Sequence, residues 1–238
     1  MKKIGVIVFP GTNCDRDVFH VLSEVLHFQA EYIWHDTHTL KGYSGIIIPG
    51  GFSYGDRLRA GVIAAHSPVI GEVKRLAKEG TPILGICNGF QILIESGILP
   101  GALLKNVSLS FICKWVFAKV RNTETPFTRL FRKNQKIRIP IAHGEGRYVV
   151  DKETMKELRR NDQIVLSYLN DNPNGSMESI AAVCNPERNV VGMMPHPERA
   201  TERISSRASE EKAGSVIFQS LIHHLCNANP GQNLRHKN

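Results

Sequence analysis

Pro82-Ile83-Leu84-Gly85-Ile86-Cys87-Asn88-Gly89-Phe90-Gln91-Ile92-Leu93-Ile94 decides how this chain is read. A short apolar run leads into a Gly-x-Cys-x-Gly turn, and the turn opens a second apolar-periodic stretch. That order predicts a buried strand, a sharp turn with cysteine at its tip, and a helix packed back on the strand. Upstream, Ile4-Gly5-Val6-Ile7-Val8-Phe9 is a continuous apolar run of the kind buried in a parallel sheet, ended by Pro10-Gly11-Thr12-Asn13. Asp15 to Phe28 has helical spacing, with Val18, Phe19, Val21, Leu22, Val25 and Leu26 inward. Ala30 to Trp34 and Gly45 to Ile48 read as strands, and Val69 to Glu79 as a helix. Strands and helices thus alternate through residue 96, which predicts an α/β fold with a mostly parallel open sheet covered by helices on both faces. Reactive groups in such sheets lie beyond the carboxyl ends of the strands. Gly51 and Cys87 both fall just past such ends.

The pattern then changes. Phe111 to Val120 and Lys136 to Ile141 read as strands around a turn. Ile180 to Cys184 and Asn189 to Met194 read as a hairpin about Asn185-Pro186-Glu187-Arg188. These predict a small antiparallel extension. Asn170 to Gly175 is a loop by composition, and Ala213 to Cys226 a closing helix. One domain is expected over residues 1–226, with 227–238 a flexible tail.

With 238 residues, 42% hydrophobic and 22% charged, the chain is of globular composition and long enough to bury a sizeable core. The net charge of +8 is scattered rather than run together, so it does not point to nucleic acid. Arg57, Arg59, Arg199 and Arg203 are candidates for docking on a partner. The five cysteines, Cys14, Cys87, Cys113, Cys184 and Cys226, form no CxxC pair, which argues against a disulfide framework or a thiolate zinc site. Met1-Lys2-Lys3 leads straight into the first strand, so no secretory leader is expected, and no apolar stretch is long enough for a membrane span. A cytoplasmic location follows.

The chemistry rests on two separated segments. A cysteine at a helix start gains thiolate character from the helix N-terminus and from a nearby protonated histidine. Pro195-His196-Pro197-Glu198 supplies that histidine and a carboxylate to orient it. If this stretch is extended, His196 and Glu198 project to the same side. The backbone N–H of Asn88 would face an oxyanion formed at a carbonyl attacked by Cys87, and the Gly50-Gly51 turn could supply a second donor from Gly51. Each feature alone has a plain structural reading: a packed cysteine, a rigid Pro-rich turn, a glycine turn needing positive φ. Their combination favours catalysis. Pro49 to Asp56 lacks the pattern of a nucleotide P-loop. His143 and Glu145 lack an evident third ligand, so no metal is assigned; their loop is expected to face substrate or partner. Cys14, Cys113, Cys184 and Cys226 read as structural.

Gly85 to Gln91 and His196-Pro197-Glu198 resemble the catalytic segments of class I, triad-type glutamine amidotransferases, which have a flavodoxin-like sheet. Val8 to Asp17, Pro49 to Gly61, Ile139 to Tyr148 and Gly192 to Arg199 resemble, more narrowly, the amidotransferase subunits of phosphoribosylformylglycinamidine synthases. The resemblance implies Cys87, His196 and Glu198 as the triad and Gly50, Gly51 and Asn88 around the oxyanion. It also implies Gln91 as a residue that helps hold glutamine, with backbone contacts to it around Ser108 to Cys113. It implies no cofactor in this chain, with ATP and magnesium used by a large synthetase subunit that receives ammonia, and a small accessory subunit completing the complex. A stand-alone cysteine hydrolase or peptidase on the same scaffold is the alternative. A non-catalytic relative that keeps only the fold would be expected to have lost Cys87, His196 or Glu198.

Overall fold

A computed structural model describes residues 2–201 and 212–227. The chain runs β1 (Ile4–Val8), α1 (Asp15–His20), β2 (Ala30–Trp34), β3 (Gly45–Ile48), α2 (Pro68–Lys78), β4 (Ile83–Ile86) and α3 (Asn88–Glu95). It continues through β5 (Ala102–Leu104), β6 (Ile112–Val120), β7 (Lys136–His143), β8 (Arg147–Val149) and α4 (Lys152–Arg160). β9 (Ile164–Leu169), β10 (Ile180–Cys184), β11 (Val190–Met193) and α5 (Ala213–Asn227) complete it. The tail expected beyond Asn227, and Arg203, lie outside the described residues.

Among the described residues, nine strands form one sheet in the order β2-β1-β3-β4-β11-β10-β9-β6-β7. The half from β2 to β11 is parallel, and from β11 to β7 every pairing is antiparallel. β5 and β8 make a separate antiparallel pair. The expected parallel sheet and its antiparallel extension are therefore both present. β3 and β4 are buried at every residue, as strands covered on both faces must be. The first helix is shorter than its periodicity predicts: after His20 it widens into a π turn over Val21–Val25. No helix among the described residues is long and apolar enough to cross a membrane.

Glycines let α3 settle on the sheet. Gly85 of β4 stands in register with Gly192 of β11. A Cβ at Gly192 would come 2.0 Å from the Phe90 ring, and one at Gly85 2.5 Å from Leu93. A Cβ at Gly89 would lie 1.9 Å from the Ile48 carbonyl oxygen. The two glycines flanking Cys87 are thus required by the close approach of helix and strands. Phe90 also stacks on Tyr148 at 6.0 Å, and the Tyr148 hydroxyl donates to Pro100 O, tying β5 and β8 to this helix.

Candidate active site

Four parallel strands deliver their ends to one place. β1 leads to residues 10–14, β3 to Gly50-Gly51, β4 to Cys87 and β11 to His196. Cys87 caps α3 with φ +50 and ψ −102, a backbone region that costs a non-glycine residue about 1–3 kcal/mol. The surroundings enforce it: the Cys87 N–H donates to Met193 O at 2.7 Å, while its carbonyl accepts from Gln91 N at 3.1 Å. The thiol is buried, 5% exposed, and donates to Ala142 O at 3.6 Å. Asn88, the first helical residue, has an N–H without an intrahelical acceptor, as helix geometry dictates.

His196 and Glu198 are 2% and 4% exposed, and Nδ1 of the imidazole meets Glu198 Oε1 at 2.6 Å. The backbone is not the extended stretch anticipated; Pro197–Arg199 forms a 3₁₀ turn. The turn still brings the two side chains together, and the His196 N–H is anchored on Pro140 O at 2.8 Å. Pro140 can sit in β7 because β7 is the last strand of the sheet. Among the described residues, neither His196 Nε2 nor Glu198 Oε2 has a hydrogen-bond partner, so the imidazole presents a nitrogen inside the site. Burial opposes charge on His196, but the negative charge of Glu198, then Cys87 and the contact with Cys14, outweigh it. The imidazole pKa is raised well above its usual value.

Gly50 and Gly51 are needed for close approach. A Cβ at Gly50 would lie 2.7 Å from His196 Cε1. Gly51 has φ +144, and a Cβ there would lie 2.7 Å from the Asn13 nitrogen. The tight-turn reading of this loop holds, and the same turn puts Gly51 on the edge where Cys87 stands.

Asn88 and Gln91 are buried and joined to each other. Asn88 Oδ1 accepts from Ser53 N at 3.1 Å, and its amide donates to Gln91 Oε1 at 2.9 Å. Gln91 Nε2 donates to Glu145 O at 2.7 Å. Both ends of the Gln91 amide are thus engaged, and in this arrangement it braces the 143–148 loop against α3. The segment 108–113 lies alongside: the Phe111 ring is 6.3 Å from that of Phe52, and both are about half exposed. His143 is an interior residue rather than a loop tip. Its Nδ1 pairs with Asn106 Oδ1 at 3.1 Å, and burial, then His196, lowers its pKa to about 4. It stays neutral beside the charged histidine.

Cys14 is the residue whose sequence reading requires correction. Read from the sequence as a structural thiol without a partner pattern, it is a buried side chain, 2% exposed, packed beside His196 and Glu198. Its sulfur, a His196 ring nitrogen and a Glu198 oxygen all lie within 4.8 Å of one another. Arg199 donates to that sulfur at 3.2 Å. Arg199 is thus tied to Cys14 and Asp17 while its side chain stays partly exposed. Arg59 is paired with Glu95, and Arg57 is exposed. All five cysteines are free thiols.

Asp56, half-buried behind Asn88, is raised to about 6 by burial and by the neighbouring Glu145. The native state thus binds this proton more tightly than the unfolded chain. No cost exists below pH 4, and the cost grows as pH rises from about 4 through 6. Asp56→Asn is expected to stabilise the protein at pH 8 by about 1 kcal/mol, a value discounted for solvent screening. At pH 4 it should change little. Urea melts at the two pH values check this; equal effects at both would contradict it.

The sequence matches the CobB/CobQ-like glutamine amidotransferase domain over residues 1–225, and the chain belongs to that family. Among solved structures it is similar to a chain in the structure of PurLQS from Thermotoga maritima, with 50% identity and a TM-score of 0.83, covering 94% of this chain and 99% of that one. A glutamine amidotransferase from Thermotoga maritima shares the fold at 16% identity and TM-score 0.58, over 95% of this chain and 99% of that one. The glutaminase domain of Trypanosoma brucei CTPS shares it at 15% identity and TM-score 0.58, over 94% of each chain.

Proposed function

We infer that this chain is the glutamine-hydrolysing subunit of phosphoribosylformylglycinamidine synthase. The observation that carries the chemistry is the buried His196–Glu198 pair beside Cys87, which is held on a strained strand-to-helix turn. The choice of synthase is supported by the 50% identity with PurLQS.

In the proposed reaction, Cys87 Sγ attacks the side-chain amide carbon of glutamine. The N–H groups of Gly51 and Asn88 stabilise the oxyanion. His196, charged and oriented by Glu198, donates its proton to the departing nitrogen, and ammonia leaves. The neutral imidazole then activates water, which cleaves the γ-glutamyl thioester to release glutamate. Gln91 keeps the 143–148 loop closed on the site and so shapes the glutamine pocket. None of these steps calls for a metal or cofactor in this chain. ATP and magnesium serve a large synthetase subunit, which receives ammonia and converts formylglycinamide ribonucleotide to its amidine. A small accessory subunit completes the complex, in the reducing cytoplasm. Phe52, Leu58, Leu109 and Phe111 are exposed on the two loops beside the site, an apolar surface suited to docking the synthetase.

The test is glutamate release from glutamine by the purified chain, alone and with the synthetase subunits, ATP and formylglycinamide ribonucleotide. Slow release alone that rises at least about tenfold in the mixture is expected. Full release alone, unchanged by the partners, would favour the stand-alone hydrolase.

A further inference from the structure

Cys14 has no part in the reaction just described, yet it is packed into the triad. It precedes α1, and its backbone N–H donates to Gly50 O at 3.2 Å. Its thiol donates to Asn13 Oδ1 at 3.4 Å and accepts from Arg199 Nη2 at 3.2 Å. Arg199 Nε reaches Asp17 Oδ2 on α1 at 3.4 Å. The start of α1 and the turn after His196 are thereby clasped together through one sulfur. A Cβ at Gly50 would touch both the imidazole, at 2.7 Å from Cε1, and Cys14 Sγ, at 3.3 Å, so ring and sulfur share one tight compartment.

We propose that Cys14 is a positioning residue for His196: clasped by Arg199 and Asp17, its thiol holds the imidazole in the orientation that serves Cys87. This rests on the glutaminase reading above. Glu198 fixes the ring through Nδ1 only, which leaves rotation about that bond to be limited by what packs on the ring. The Gly50 backbone packs on the ring and leaves no room for a side chain, and the Cys14 sulfur fills the same compartment, so Cys14 shares in setting that limit. The groups facing His196 are Glu198, Cys87, Cys14 and His143, with Arg199 behind Cys14. Burial raises the Cys14 pKa, so the thiol stays neutral and does not compete with Cys87 as a nucleophile. A sulfur suits the place because it can accept from a guanidinium and donate to an amide at once.

The test uses Cys14→Ala and Cys14→Ser in the full chain, assembled with its synthetase partners, measuring glutamate release across pH. The alanine variant should lose about tenfold in kcat with KM within about twofold, because the lost contact acts on the reacting histidine rather than on substrate binding. Contact with Cys14 favours the protonated imidazole, so its removal lowers the His196 pKa and moves the alkaline limb of kcat to lower pH. Serine, which keeps both hydrogen bonds, should restore kcat to within about threefold and return the limb. Wild-type kcat and pH profile in Cys14→Ala would overturn the proposal. So would equal losses in both variants with an unmoved profile and a lowered Tm, which is the result of packing alone. If the wild-type assembly releases no glutamate from glutamine, the glutaminase reading itself fails, a distinct outcome.

Discussion

Cys87→Ala is expected to lower glutamine-dependent synthesis by the assembled complex about 10⁴-fold or more, and to leave ammonia-dependent synthesis within about twofold. Without the sulfur no thioester can form, and the remaining oxyanion donors have no covalent intermediate to stabilise. The fold should survive the change. Cys87 holds φ +50 because Met193 O and the start of α3 fix its backbone, and those bonds do not involve the side chain. Alanine strains the turn no more than cysteine does. Steady-state assays with glutamine and with ammonium salts, beside a thermal melt, separate the outcomes. Loss of ammonia-dependent synthesis at unchanged Tm would give Cys87 a role in assembly that the triad does not explain.

Glu198→Gln should cost about 10⁴-fold in kcat with little change in KM, the loss seen when the carboxylate of a serine triad becomes an amide. The Glu198 oxygen lies 2.6 Å from Nδ1 in a place almost closed to water, so no solvent replaces it. An amide can turn its NH₂ toward the ring, which favours the tautomer with its proton on Nε2 and leaves no acceptor for the thiol proton. It also removes the largest influence holding His196 charged against burial. Glutamate release by the variant complex, with ammonia-dependent synthesis as control, checks this. A loss under tenfold would mean that His196 is oriented by something other than Glu198.

The parts of the molecule legible in the sequence are those whose signals are local. The apolar runs ending in glycine or proline mark β1, β3 and β4, and the Gly-x-Cys-x-Gly turn marks the elbow, because close packing there admits no side chain. β10 and β11 are legible from two apolar runs around Asn185 to Arg188. The helix α4 escapes such a reading. Its stretch is mostly charged, and its buried face is only Met155 and Leu158, although Asp151 capping Thr154 N at 2.8 Å is a readable start signal. β9, the short strands β5 and β8, and the order in which the antiparallel half assembles depend on partners distant in the chain. Cys14 shows the limit most clearly. Nothing near residue 14 announces a histidine, because the contact forms only when β1, β3, β4 and β11 line up in the sheet and end at one edge. The His196–Glu198 pair is expected from an extended backbone and forms through a 3₁₀ turn instead. Spacing alone indicates proximity without fixing its geometry.

The most direct measurement is rapid acid quench of the assembled complex turning over glutamine, followed by proteolysis and mass spectrometry of the cysteine-containing peptides. The account predicts a glutamyl adduct on the peptide that carries Cys87, absent from Cys87→Ala and absent from the Cys14 peptide. An adduct on Cys14, or glutamate formed at full rate in Cys87→Ala, would contradict it.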